Sequence, residues 1–193
     1  MIRSTFSFAS AFAVAALMMQ SSFAQETKAH DHEHAGAHAA MPTLGVAVIQ
    51  PTAGGKVRGM LRLMQKGENL QVMGKIRNLT PGDHGFHIHE FGDMRNMKDG
   101  TSAGGHFNPS GVPHGAPGHG HVGDLGNITA NAEGEATVDV TLEHTMLHFI
   151  LGRSFVVHAG KDDLTSQPSG DAGPRVGVGI IGAGNPEYKA AGK

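Results

Sequence analysis

The sequence contains no cysteine and no tryptophan, and only a single tyrosine. Without cysteine no disulfide can staple the fold, so an exported chain of this kind must be held together by other means. Bound metal is the obvious candidate. Charge of either sign is sparse as well, with 15 basic against 17 acidic residues and a net charge of −2. That balance argues against nucleic acid or an anionic membrane surface as the main partner. Beyond the N-terminal stretch no apolar run could cross a bilayer. Glycine, by contrast, is plentiful at 29 residues, which suits short strands with many turns better than long helices.

Residues 1–24 read as a secretory signal peptide. Arg3 supplies a basic head, Phe6 to Met19 carries no charge, and Ser22-Phe-Ala24 offers small residues where a signal peptidase cuts. Cleavage is expected before Gln25, which makes the protein periplasmic or secreted and leaves no membrane attachment afterwards. Residues 25–42 form a second module of a different kind. His30, His32, His34 and His38 lie there among little that could pack, so a disordered, histidine-rich extension is expected. It is either a loose site for copper, zinc or nickel that feeds the domain behind it, or a soluble spacer.

From Thr43 the pattern becomes β. Leu44, Val46 and Val48 alternate in a first strand, Val57 to Gln65 alternates again, and Leu70, Val72 and Ile76 mark a third. Gln50-Pro-Thr-Ala-Gly-Gly55, Lys66-Gly-Glu-Asn69 and Asn78-Leu-Thr-Pro-Gly82 read as the intervening turns. Strands resume at Leu125–Ala130, through Val138, Val140 and Leu142, at Phe155–His158, and at Val176, Val178 and Ile180. Short strands and tight turns point to an all-β antiparallel sandwich or barrel spanning residues 43–185, with 186–193 as a frayed tail.

The centre of the chain is Phe86-His87-Ile88-His89. On a strand this alternation sends Phe86 and Ile88 into a core and both imidazoles to the opposite face. Two residues of strand rise set those imidazoles about 6.5–7 Å apart at Cα, close enough to grip one metal ion from adjacent corners. Residues 92–124 then show almost no apolar periodicity, yet carry His106, His114, His119, His121 and Asp124. A structureless loop of that length suits a compact domain only if it is functional, and a bound metal can act as its missing core.

These residues resemble a known family. Gly85-Phe-His-Ile-His-Glu-Phe-Gly-Asp93, Thr101-Ser-Ala-Gly-Gly-His-Phe-Asn-Pro109, His121-Val-Gly-Asp-Leu-Gly-Asn127, Gly152-Arg-Ser-Phe-Val-Val-His158 and Gly170-Asp-Ala-Gly-Pro-Arg175 are similar, in order, to the landmarks of copper-zinc superoxide dismutases. The resemblance runs from about Leu44 to Gly182. It implies an eight-stranded antiparallel Greek-key β-barrel or sandwich with two long functional loops. It further implies copper on His87, His89, His106 and His158, and zinc on His106, His114, His121 and Asp124, with His106 bridging. Asp162 would link a copper histidine to a zinc histidine, and Arg175 would attract the anion. The donor chemistry agrees: four nitrogens without sulfur suit Cu(II), and three imidazoles with one carboxylate suit tetrahedral zinc.

His121 is preferred to His119 because the family's His-Val-Gly-Asp run is intact there. His84 is read as structural, and His144 and His148 as surface residues. Where the family usually has two cysteines tying the metal loop to the last strand, this chain has Gly100 and Val178. The second loop has no run of steering charges beyond Lys161 and Arg175. The expected activity is superoxide disproportionation to dioxygen and hydrogen peroxide by Cu(II)/Cu(I) cycling, with His106 and Arg175 as catalytic residues and superoxide as the substrate. A homodimer is an admissible assembly. The alternative is a periplasmic metal-buffering or copper-carrier protein that works through its histidine-rich arm.

Overall fold

A computed structural model of the chain describes residues 41–188. The expected signal peptide, the extension up to residue 40 and residues 189–193 lie outside the described residues. The eight strands are β1 (Leu44–Pro51), β2 (Arg58–Lys66), β3 (Asn69–Arg77), β4 (Gly82–His89), β5 (Asp124–Ala130), β6 (Ala136–Leu142), β7 (Ser154–His158) and β8 (Arg175–Ala183). A single helical turn, α1 (Leu147–Ile150), precedes β7. Every neighbouring pair is antiparallel, and the order β1-β2-β3-β6-β5-β4-β7-β8 closes with β8 on β1. Because β3 lies beside β6 while β4 sits between β5 and β7, the chain crosses the barrel as a Greek key.

Local chemistry explains the tight connections. Between β2 and β3 the chain reverses at Gly67, whose φ of 60° a residue with a side chain rarely adopts. Between β5 and β6 the Asn131 Oδ1 accepts the N–H groups of Glu133 and Glu135, an Asx turn that sets up the hairpin. Inside the barrel Leu61, Leu63, Leu70, Val72, Ile76, Phe86, Ile88, Phe155, Val157 and Ile181 form one core. The Phe86 and Phe155 rings stack across β4 and β7 at 5.1 Å.

The apolar set that marks β1 in the sequence is not its buried face. Gly45, Ala47 and Ile49 point inward, while Val46 and Val48 are exposed. A period of two fits either phase, and a one-residue step exchanges them all. The crowded interior decides: a Cβ on Gly45 would lie 2.9 Å from Leu147 Cδ1, so a large residue in that phase has no room.

The outer faces of β4 and β7 are buried as well, because the two long loops cover them as a second layer. The first loop is anchored where Ile88 N donates to Gly123 O (2.9 Å), Phe107 N to Ile88 O (2.8 Å) and Gly123 N to Phe107 O (2.9 Å). Gly123 fits this clamp only because it lacks a side chain: a Cβ there would collide with Ile88 O. Gly123→Ala should therefore destabilise the fold by at least about 1–3 kcal/mol, the usual cost of overpacking. Chemical denaturation checks this, and an unchanged midpoint would show that the clamp yields.

Candidate metal centre

Strand β4 carries His87 and His89 on the face turned away from the core, and its register against β5 shifts between Gly85 and His87. Its neighbour β7 ends at His158, whose ring centroid lies 5.0 Å from that of His87. The first loop returns to β4 through an isolated bridge between His89 and His106, with the ring centroids of His87 and His106 4.0 Å apart. All four imidazoles are buried, and one ligating atom from each lies within 4.8 Å of all the others. A second group, His106, His114, His121 and Asp124, meets the same limit and is equally buried. His106 belongs to both.

In the second group three imidazole nitrogens converge on one carboxylate. Asp124 Oδ1 lies 2.7 Å from His106 Nδ1 and 3.1 Å from His121 Nδ1, and Oδ2 lies 3.0 Å from His114 Nδ1. The third approach is close but misaligned, so His114 Nδ1 makes no hydrogen bond despite its distance. Donor atoms gathered like this match a tetrahedral ion with bonds of about 2.0–2.2 Å, whose corners stand about 3.3 Å apart.

In His87, His89, His114 and His158 the other ring nitrogen is tied down, and that fixes the orientation of these four rings. His89 Nδ1 donates to Gly104 O and His158 Nδ1 to Gly173 O, both at 2.9 Å. Asp162, fully buried, spans the two groups: Oδ2 accepts from His87 Nε2 (2.8 Å) and Oδ1 from His114 Nε2 (3.0 Å). Asn127 holds Asp162 by its backbone at both N–H and C=O. Gly170, at φ 71°, passes so close that a Cβ would overlap Asp162 Oδ1.

These contacts leave over a set of ring nitrogens with no partner. His87 Nδ1, His89 Nε2, His106 Nε2, His114 Nδ1 and His158 Nε2 are buried with no hydrogen-bond partner. Such orphaned atoms are costly unless something binds them, and neutral imidazole nitrogens are metal donors. The residues therefore fit two adjacent cations that share His106. Electrostatics favours the ligating protonation states. Burial, together with the neighbouring His106, pushes His87 down to about 2. Burial likewise pushes His158 down to about 4 and His89 well below its ordinary value. For Asp124 burial works in the opposite direction, but hydrogen bonds from His106, Gly115 and His121 overcome it and keep the carboxyl ionised.

Arg175 begins β8 and is half-buried against the first loop. Its Nη1 donates to Gly100 O (2.5 Å) and its Nη2 to Gly104 O (2.6 Å). Of the other histidines, His119 is exposed, and His84 is buried with both ring nitrogens 2.8 Å from carbonyl oxygens, those of His158 and Thr80. Exposed His144 lies 3.6 Å from Glu68. His148 is only partly exposed, and its ring lies 4.3 Å from that of Phe149, tilted by 36°. Lys161 lies 3.3 Å from Asp83 and so spends its charge on an ion pair. Sequence reasoning did not single out the supports: Asn127, Gln167 with both amide atoms on the His114 backbone, and the Gly104 and Gly173 carbonyls. Asn127, Gly104 and Gly173 left a trace only as members of quoted motifs, and Gln167 left none.

Residues 57–181 match the family model for copper/zinc superoxide dismutase. The chain belongs to that family. It is 43% identical over 160 residues to the Onchocerca volvulus superoxide dismutase [Cu-Zn], covering 75% of this chain and 98% of the relative. It is also 43% identical over 141 residues to the Brugia pahangi extracellular superoxide dismutase [Cu-Zn], covering 66% and 70%. Among solved structures, the crystal structure of the clock protein EA4 superposes with a TM-score of 0.66 at 35% identity, covering 74% of this chain and 96% of that one. Copper and zinc are the metals of the superoxide dismutase family to which the chain belongs, and the expected all-β barrel agrees with the fold.

The buried neutral imidazoles make the metal-free protein acid-sensitive. The lowered values of His87 and His158 mean that, from about pH 6.5 down to about pH 4, the unfolded chain binds more protons than the folded one. Stability of the metal-free chain should thus fall steadily with pH over that window. The loaded protein should melt higher throughout, because its donors are occupied. Melting curves with and without metals check both, and a flat metal-free profile between those pH values would remove the buried-imidazole argument.

Proposed function

We propose that His87, His89, His106 and His158 hold copper, that His106, His114, His121 and Asp124 hold zinc, and that the protein disproportionates superoxide. The observation that carries this reading is the single ring of His106, with Nδ1 beside Asp124 and an orphaned Nε2 among the other three imidazoles. When bound, copper supplies the one-electron couple that oxidises one superoxide and reduces the next, while zinc supplies fixed charge on the shared imidazole.

The chain's own residues do the rest. His106 holds or releases a proton at Nε2, the nitrogen facing the copper donors. Two protons are consumed for each pair of superoxide ions converted to dioxygen and hydrogen peroxide. Asp162 keeps His87 and His114 in register by bonding to both. Arg175 spends two of its five N–H donors on Gly100 O and Gly104 O, so a fixed cation remains with donors to spare for a small anion. Burial pushes its pKa somewhat below the ordinary arginine value, partly countered by Asp99, but an arginine stays charged.

The reading includes export to the periplasm or beyond after loss of residues 1–24, supported by the basic head and uncharged apolar stretch of that segment. It includes neither nucleic acid nor a membrane as partner, supported by the net charge of −2. Among the described residues no helix is long and apolar enough to cross a membrane. A homodimer also belongs to it, supported by Val46, Val48 and Ile180, exposed on the neighbouring strands β1 and β8. The domain is taken as residues 43–185, preceded by the histidine-rich arm.

Metal analysis with a superoxide-decay assay tests the whole reading, and a protein that holds zinc alone or fails to remove superoxide would overturn it. Arg175→Ala should slow turnover by about 100-fold with both metals retained, the lower end of the scale for losing one positioned donor. Unchanged decay rates at low salt would refute its positioning role. The arm is a candidate delivery accessory because it carries four histidines within nine residues, His30 to His38. Deleting residues 25–42 should leave activity intact on added copper and slow loading when copper is scarce. Loss of activity at saturating copper would make the arm part of the working site.

A further inference from the structure

Gly100 and Val178, which stand where the family usually has its cysteines, do meet. A Cβ added to Gly100 would lie 3.0 Å from Val178 Cγ2. Something other than a covalent bond must hold the first loop to β8. Val178, Val156 and Ala103 form a small apolar cluster separate from the barrel core, and Met94 and Met97 pack against it from the loop. Backbone bonds extend this contact: Ala53 N donates to Met97 O (2.7 Å), and Gly100 N donates to Asn96 O (2.9 Å).

We propose that Met94 and Met97 are a peroxide-sensitive modification site, whose conversion to methionine sulfoxide releases the loop that holds Arg175 and His89 in place. Both side chains are only partly buried, so a small oxidant reaches sulfur. In the step, a thioether lone pair attacks one peroxide oxygen and the O–O bond breaks. The departing hydroxide takes up the remaining proton, giving one sulfoxide and one water for each hydrogen peroxide. The oxidant is the product of the reaction proposed above, and only this source rests on that reading. A sulfoxide replaces a flexible apolar group with a strong dipole. Set against Ala103, Val156 and Val178, that dipole loses water without gaining a partner, so the oxidised side chain leaves the cluster.

The consequence reaches the metal centre through a single atom. Gly104 O accepts from both Arg175 Nη2 and His89 Nδ1, and Gly100 O takes the other Arg175 contact. A loop freed at Met94 and Met97 carries both carbonyls with it. Met60, 66% exposed on the outside of β2, offers an internal comparison: it is open to the same oxidant but is not part of this cluster.

Arg95 and Lys98, both exposed, put two trypsin sites inside the loop. The experiment treats the metal-free chain with reagent hydrogen peroxide, so that copper-driven damage cannot contribute. Peptide mass spectrometry then locates the added oxygen, and trypsin cleavage after Arg95 or Lys98 is timed. Oxidised protein should be cut about tenfold faster, as expected for a local opening made easier. Methionine sulfoxide reductase should restore the original rate, and the M94L/M97L variant should resist peroxide where M60L does not. Absence of oxygen at Met94 and Met97 while Met60 is oxidised would overturn the proposal, as would an unchanged cleavage rate after they are oxidised. If M94L/M97L does not fold, reversal by the reductase decides alone. A protein reloaded with copper and zinc that makes no peroxide would sink the proposed source of oxidant and leave the modification site standing.

Discussion

One imidazole serves two donor groups, and the rest of the structure is arranged so that it can. His106 must place Nδ1 beside Asp124 and leave Nε2 among His87, His89 and His158. No single element can supply both surroundings. The donors come from β4, from the end of β7, from the start of β5 and from a loop that returns across β4 at the His89–His106 bridge. Burial keeps the rings of His87, His89 and His158 neutral, the Gly104 and Gly173 carbonyls take one nitrogen each of His89 and His158, and the Asp162 carboxylate takes one each of His87 and His114. The site is thus prepared in its ligating state by the protein alone.

The loops act as a second layer of the fold. The outer faces of β4 and β7 would be open in a bare barrel, yet here they lie under residues 92–124 and 159–174. That layer has little apolar content of its own. It rests on the Gly123 clamp, on Asp162 and Asn127, on the Arg175 guanidinium and on the small Ala103, Val156 and Val178 cluster. A disulfide lowers the entropy of the unfolded chain, whereas an apolar contact acts only in the folded one. Replacing the first with the second leaves the loop dependent on metal and on the chemistry of two methionines.

Much was legible beforehand for a simple reason: period-two patterning and local spacing are properties of the chain. The Phe86 to His89 alternation reports both faces of β4 at once, and turn glycines and Asx residues report reversals. The phase of β1 was not legible, because either phase satisfies the same pattern and only the space left by Leu147 and Leu63 around Gly45 chooses between them. Nor was the pairing of Lys161 with Asp83 legible, because it is a contact between distant parts of the chain.

By itself the sequence determined the strand content, the absence of any covalent staple and which imidazoles and carboxylates were available as donors, because residue type and spacing suffice for these. Tertiary structure alone decided which ring nitrogen of each histidine is left free. That depends on carbonyls such as Gly104 O and Gly173 O and on Asp162, brought beside the rings by strand pairing and loop return across long separations. A chain can encode such neighbours but cannot display them, since a hydrogen bond is a relation between places and not between positions in a sequence.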